Sequence, residues 1–492
     1  MQTLKTSALR IWLLSTIALV CACNKTFLDK APRDSVNSAN FWKTDKDAIA
    51  GINGCYQVLQ WPKLYGFRLW TSDIWAGNAL TGGGGGDDGI ETVQISNFTI
   101  FPDNAAALDV WRGPGPGILR CNLVLEKVPS INMDEGLKSR ILGEARFLRA
   151  LYYFNWVRVF GDVPLITSPL YYGDDLRPRR APKALVYAQI KQDLNLAAEA
   201  LPLTYPNAEH GRATKGAALG LLAKVHLTLA EYPEVLTAIN QMSGYSLCPD
   251  YSDNFNHSKE INPEVVCNVE YYGRTNADFF GNDNQANWMS TFMGPRNANF
   301  VGGGYGWVQP TPEFVNSYEP GDLRKDKTIL YQGCPPFDRL IYRSSYSATG
   351  YNVRKFLVTK AVSPDYNTNS NNFAILRWAD VLLMKAEALN ALGNSAAAEE
   401  PLNQVRRRAG LPDVRGLSGN EMREKIIRER RIELAFEGDR WFDLQRLDGG
   451  QYGVDFLRSI GKTNVTSPAQ LLLPIPQKEI DANPNLTQNP GY

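Results

Sequence analysis

The run Ile426-Ile-Arg-Glu-Arg-Arg-Ile-Glu-Leu-Ala-Phe-Glu-Gly-Asp-Arg-Trp-Phe-Asp-Leu-Gln-Arg446 reads as a helix, a break and a second short helix. Ile427 and Leu434 lie seven apart, and Ile432, Ala435 and Phe436 fall within one turn, the spacing of an apolar helix face. Opposite charges recur at helical spacing: Glu424 with Arg428, Arg430 with Glu433, Glu437 with Arg440. Gly438-Asp439 then punctuates the helix. Glu429, Glu433 and Glu437 make a like-charge stripe at i, i+4, i+8, which is unfavourable unless cations from elsewhere face it. Arg146, Arg149 and Arg377 are the candidate partners. With so much Arg nearby, an internal ion-pair network that fixes helix packing is the expected role, ahead of a metal or acid/base site.

The other helices follow from period and caps. Thr44 or Asp45 is placed to cap a first helix ending near Leu59, and further helices are expected over 117–127, 137–160, 183–200, 215–229, 233–242, 374–392, 396–409 and 418–436. Three of them carry related stretches: Phe147-Leu-Arg-Ala-Leu-Tyr-Tyr, Leu221-Leu-Ala-Lys-Val-His-Leu and Leu383-Met-Lys-Ala-Glu-Ala-Leu. Each sets a small Ala in a bulky apolar stripe, the weak self-similarity of a TPR-like helix-pair array. The fold class is therefore mainly α: a TPR-like helix-pair scaffold with a loop-rich, irregular region and few short strands. Val265–Tyr271 is a candidate strand.

Composition narrows the function. The 492 residues hold 52 Lys+Arg against 51 Asp+Glu, so there is no electrostatic footprint for nucleic acid. Only His210, His226 and His257 occur, which argues against histidine-based metal or general-base chemistry. No cofactor and no metal are expected. At the N-terminus, Lys5 and Arg10 precede an apolar run from Ile11 to Val20 that is too short to span a bilayer at roughly 20 residues. It ends in Val20-Cys-Ala-Cys23, where a small residue before a Cys resembles a bacterial lipobox. The expected division is a lipoprotein signal peptide over 1–22 and one domain over 23–492, with Cys23 lipidated. Several acyl chains there would make a stable anchor, at roughly 0.8 kcal/mol per buried CH₂. The cysteines that remain show no paired spacing; Cys55 and Cys121 fall in helical patterns as small core residues.

Loops hold the remaining signal. Residues 61–103 contain Trp61, Trp70, Trp75 and the run Gly82–Gly86 before Asp87-Asp88. No Gly-Lys-Ser/Thr follows the glycines, so a surface loop is expected and not a phosphate cradle; a calcium role for Asp87 and Asp88 is the weaker alternative. Residues 244–372 are rich in Asn, Gly, Tyr, Trp and Pro and form an insert between scaffold segments 23–243 and 373–492. The chain closes with Leu471-Leu-Leu-Pro-Ile-Pro-Gln-Lys-Glu-Ile480 and Asn483-Pro-Asn-Leu-Thr-Gln-Asn-Pro-Gly-Tyr492.

Taken together, the Glu-Gly-x-Arg-x-x-Asp-Leu-x-Arg run, this tail, and the opening Cys-x₃-Phe-Leu-Asp and Phe-Trp-x₄-Asp-Ala patterns closely resemble the SusD/RagB family. The resemblance implies a lipid-anchored, mostly helical binding protein of Bacteroidetes-type bacteria on the outer face of the outer membrane. It implies no enzyme. A SusC-like TonB-dependent transporter would be its partner, and an oligosaccharide or, in some branches, a peptide its ligand. Two other classes remain as alternatives: a helical-repeat scaffold lipoprotein, and a secreted glycoside hydrolase, which would need two carboxylates about 5 to 10 Å apart across a cleft.

A glycan site needs flat aromatic platforms flanked by Asn, Asp, Gln or Arg, on loops held by a rigid scaffold. Two places combine these: Asp73-Ile-Trp-Ala-Gly-Asn78, with Trp75 as platform and Asn78 as hydroxyl partner, and residues 283–307, with Trp288, Arg296, Asn299, Tyr305 and Trp307. Trp42, Trp111, Trp156, Trp378 and Trp441 are expected to be structural. No family motif transfers to the ligand positions.

Overall fold

Helix caps and apolar faces produce the expected array. The computed structural model describes residues 41–83, 88–273 and 281–492. The signal peptide, Cys23, the Phe27-Leu-Asp29 element, Asp87 and most of the glycine run lie outside the described residues. The principal helices are α1 Asp45–Gln57, α2 Pro114–Lys127, α3 Glu135–Phe160, α4 Lys183–Ala200, α5 Lys215–Thr228 and α6 Tyr232–Ile239. After the insert come α7 Trp378–Ala391, α8 Ser395–Arg408, α9 Gly419–Glu433, α10 Arg440–Arg446 and α11 Gln451–Ser459. Thr44 and Asp47 form a capping box at α1, Asp134 accepts the Leu137 N–H at α3, and Ser418 and Glu421 form a capping box at α9. Each helix packs on the next, from α1 through α6, and α6 then packs on α7, so the insert leaves the stack unbroken. Ala150, Ala223 and Ala386, the small residues of the three related stretches, are fully buried where helices meet.

One expectation is corrected. Residues 374–377 are not helical: Phe373–Arg377 forms strand β6, antiparallel to β2 (Val265–Val269), and α7 starts only at Trp378. A short apolar run such as Phe-Ala-Ile-Leu carries no period that separates strand from buried helix. The other two-stranded ribbons are β1 (Ala79–Thr81) with β3 (Val308–Pro310), and β4 (Ile329–Leu330) with β5 (Asn352–Val353).

The acidic stripe of α9 faces inward against cations, as expected, and Arg377 is at its centre. The Arg377 guanidinium donates to Glu437 at 2.7 and 2.8 Å, to Glu433 at 3.0 Å and to Glu264 at 2.6 Å, with all four side chains buried. Arg324 bridges Glu429 and Glu433, Arg406 reaches Glu429, Arg408 reaches Glu433, and the Lys355 ammonium reaches Glu437. Arg149 is engaged elsewhere, by Asp193 and Asn122. None of the three local pairs read from helical spacing forms among the described residues. Arg430, for instance, bonds Asp380 and Asp443 instead. Bidentate partners in the low-dielectric interior outcompete solvated neighbours on one helix face.

Candidate ligand-binding site

The two loops singled out by sequence meet. The β1–β3 ribbon sets Leu80 opposite Gln309 and Thr81 opposite Val308, and Gly82 N–H extends the pairing to the Trp307 carbonyl at 2.8 Å. The ribbon thus brings the end of the first loop against the end of the second.

Beneath the ribbon lies an aromatic floor. Phe67 is 5.1 Å from Trp307, 4.7 Å from Phe292 and 5.2 Å from Trp70, measured between ring centres. Trp288 lies nearly parallel to Phe292, 6.0 Å away. Trp75 meets Trp441 edge to face at 5.9 Å. These indoles are closed off from solvent: Trp75 and Trp288 are 0% exposed and Trp307 3%. Gly89, at φ +77°, lies on the Trp307 ring so closely that a Cβ there would come within 2.3 Å of it. A ring with no open face cannot stack on a sugar. Trp75, Trp288 and Trp307 are therefore corrected from ligand platforms to core residues of the floor. Large apolar rings gain most by burial, and loop sequences do not reveal which face is covered.

Asp73 and Asn78 are buried too, and they act as a brace. Asp73 Oδ1 accepts from Asn78 Nδ2 at 2.7 Å, and its Oδ2 accepts from Gly438 N–H at 2.9 Å. Asn78 Oδ1 accepts from Arg431 Nε at 2.9 Å. Burial pushes the Asp73 carboxyl up to about 6, against the pull of these donors. The first loop is thereby fastened to the end of α9 and the turn after it, and Asn78, 0% exposed, presents no group to a ligand hydroxyl.

Three of the candidates reach solvent: Arg296, Tyr305 and Asn299. Arg296 leaves 39% of its side chain exposed and donates to Asp88 Oδ2 at 3.2 Å; its other N–H groups have no partner among the described residues. Tyr305 is half-buried, its ring edge-on to Phe292 at 5.3 Å and its N–H bonded to Thr291 O at 2.8 Å. Gly304 and Gly306 flank it at φ +66° and +61°, where a Cβ would meet Pro295 O at 2.6 Å and Arg296 Cβ at 3.2 Å. Asn299 lies in the same loop but accepts from Lys360 Nζ at 2.8 Å.

Sequence reasoning offered Asp88 only as the weaker calcium alternative and missed the rest of this rim. Asp88 pairs with Arg296, while Leu80 and Ile90 stand 43% and 48% exposed beside it. Gln309 ties the floor to a further loop: its Nε2 donates to Gly306 O at 3.0 Å and its Oε1 accepts from Ala348 N at 3.0 Å. Tyr346 and Tyr351 of that loop are half-buried. Only the alternation of Leu80 within a three-residue strand could have marked it, too short a signal to read. Among the described residues no group of three or more His, Cys, Asp and Glu is placed to hold a metal ion, and no helix is long and apolar enough to cross a membrane.

Comparison with known proteins adds three kinds of match. A model described as the SusD family matches residues 338–492, and one described as starch-binding associating with the outer membrane matches residues 89–227. SusD-like protein P2 of Formosa agariphila is 28% identical, with 94% of this chain and 96% of P2 covered. The starch-binding protein SusD of Bacteroides thetaiotaomicron is 24% identical, with 81% of each chain covered. A solved structure titled laminarin binding SusD-like protein is 32% identical, with 92% of this chain and 100% of that chain covered and a TM-score of 0.80.

Proposed function

The chain belongs to the SusD family, and on that footing we propose that it is a glycan-binding lipoprotein of the cell surface, not an enzyme, which passes oligosaccharide to a SusC-like TonB-dependent transporter. The observation that carries the reading is the Tyr305–Arg296 rim: a half-buried ring and a guanidinium with donors to spare, mounted on a rigid aromatic floor. Apolar C–H faces of a sugar would rest on Tyr305 and Leu80, and its hydroxyls would meet Arg296 and Asp88. Asp73 and Asn78 act as positioning residues, since they hold the first loop in place without facing the ligand. The names of the relatives favour a neutral glucan, laminarin or starch, as the first ligands to try. The lipobox reading at Cys23 and the outer-membrane association named for the matching family model support anchoring at the outer membrane.

Titration of the detergent-solubilised full chain with laminarin and with starch oligosaccharides tests this. Tyr305→Ala is expected to weaken binding about 5-fold, on the order of 1 kcal/mol for a lost aromatic contact. Unchanged affinity in a variant that unfolds at the wild-type midpoint would dismiss the rim.

A further inference from the structure

A second hollow, of about 330 Å³, shares no lining residue with the rim. Asn53 and Gln60 reach it from α1 and the turn that follows, His210 from the loop before α5, Asn268 and Glu270 from the end of β2, and Gln285 from the insert. Its volume falls at the lower end of the range for small-ligand pockets, roughly 300 to 1,000 Å³.

Asn268 lies in the wall of the hollow, 7% exposed; its Nδ2 donates to Glu270 Oε1 at 3.3 Å, and its Oδ1, which meets no donor, has no open surface. Other polar groups around it are half-used. Gln60 Nε2 donates to Glu270 O at 2.7 Å, leaving its side-chain carbonyl without a donor among the described residues, and the Gln285 amide has no partner there either. Asn53 Oδ1 accepts from Arg212 at 2.9 Å, which leaves its N–H groups available. Open donors and open acceptors are therefore both present in the wall, which suits hydroxyls, each of which gives one hydrogen bond and accepts others.

Charge excludes the simpler ligands. Arg212 is already paired with Glu144 and Glu209, and Glu270 adds a further negative charge to the wall, so no cationic surplus awaits an anion. Among the described residues no group of three or more His, Cys, Asp and Glu is placed to hold a metal ion there either. Next to the hollow, the Tyr272 N–H bonds the carbonyl of Gln285, one of its lining residues, at 2.9 Å, and the Tyr272 side chain stands 66% exposed.

We infer that this hollow is a second saccharide subsite, which takes the end of a neutral sugar chain through Gln60, Gln285 and Asn53, with the neighbouring Tyr272 ring as its platform. The inference rests on the glycan-binding reading but not on the rim. Calorimetric titration of the detergent-solubilised full chain with laminarihexaose, maltohexaose and cellohexaose tests it in three variants: Tyr272→Ala/Gln285→Ala in the hollow, Arg296→Ala/Tyr305→Ala at the rim, and the four changes combined. For the oligosaccharide that binds, stoichiometry should be two per chain in the wild type, one in either pair and zero in the combination. Should the hollow pair fail to reach the wild-type unfolding midpoint, Tyr272→Ala alone, at an exposed side chain, should still weaken the second site at least 5-fold. One wild-type site, lost in the rim pair and untouched in the hollow pair, overturns the subsite and leaves the rim standing. No binding of any of the three oligosaccharides overturns both.

Discussion

Glu260 sits half-buried beside Glu270, its Oε1 accepting the Asn372 N–H at 2.9 Å. Burial, with the Glu270 charge adding to it, pushes the carboxyl up to about 7. A carboxyl raised above its unfolded value favours the fold most where it is protonated, and that contribution is lost as pH rises through the raised value. Stability should therefore decline between about pH 5 and 7, with Asp73, raised to about 6, acting in the same direction. Glu260→Gln is expected to make the decline shallower, as read from urea unfolding midpoints across that range; parallel slopes in the two proteins would refute the assignment. Trp307 poses the opposite case. Its ring closes the floor, so Trp307→Ala should cost about 3–5 kcal/mol of stability in denaturant titration, where a solvent-facing platform would cost little. Sequence named Arg296 and Tyr305 as candidates and the structure leaves them open. It also named three tryptophans that the structure encloses. The difference is physical: Gly- and Asn-rich loops have no period, and without one nothing in the chain tells which side of a ring is covered.

At the scale of elements, α9 and the turn after it were the most readable part of the chain. The acidic stripe demanded cations, and one of those named from the sequence, Arg377, is at the centre of the network. The local pairings read from i, i+3 and i, i+4 spacing did not form, because partners remote in sequence offered better geometry. Arg377→Ala leaves Glu264, Glu433 and Glu437 each short of a buried cation. It should destabilise the chain by about 3–5 kcal/mol, the cost of breaking a buried ion pair by removing one partner. Guanidinium chloride unfolding measures it, and a loss below about 1 kcal/mol would mean that the network is solvated and weak. Strand β6 was misread for a related reason. Its pairing with β2 is a long-range fact, while the run Phe-Ala-Ile-Leu is locally neutral between helix and strand.

For the whole molecule, the helix-pair stack was legible from period, caps and the three Ala-bearing stretches. The meeting of residues 79–81 with 308–310 was not, since a three-residue ribbon leaves no trace in composition. The proposed anchor at Cys23 is tested on the entire chain: Cys23→Ala should shift it from the membrane pellet to the soluble fraction on ultracentrifugation. Retention in the pellet would exclude lipidation at that residue.

The brace between loop and scaffold has a consequence for how the chain is made. Asn78 is bonded to Arg431 across 353 positions, and Asp73 to Gly438 across 365. Contacts of such separation form late and slowly, because a very long loop must close before they form. The early helices can form at once, yet the first loop is not held in place until the chain through Gly438 has followed. Premature termination anywhere before α9 should therefore yield a helical but ligand-blind product, whose unclaimed loops invite proteolysis.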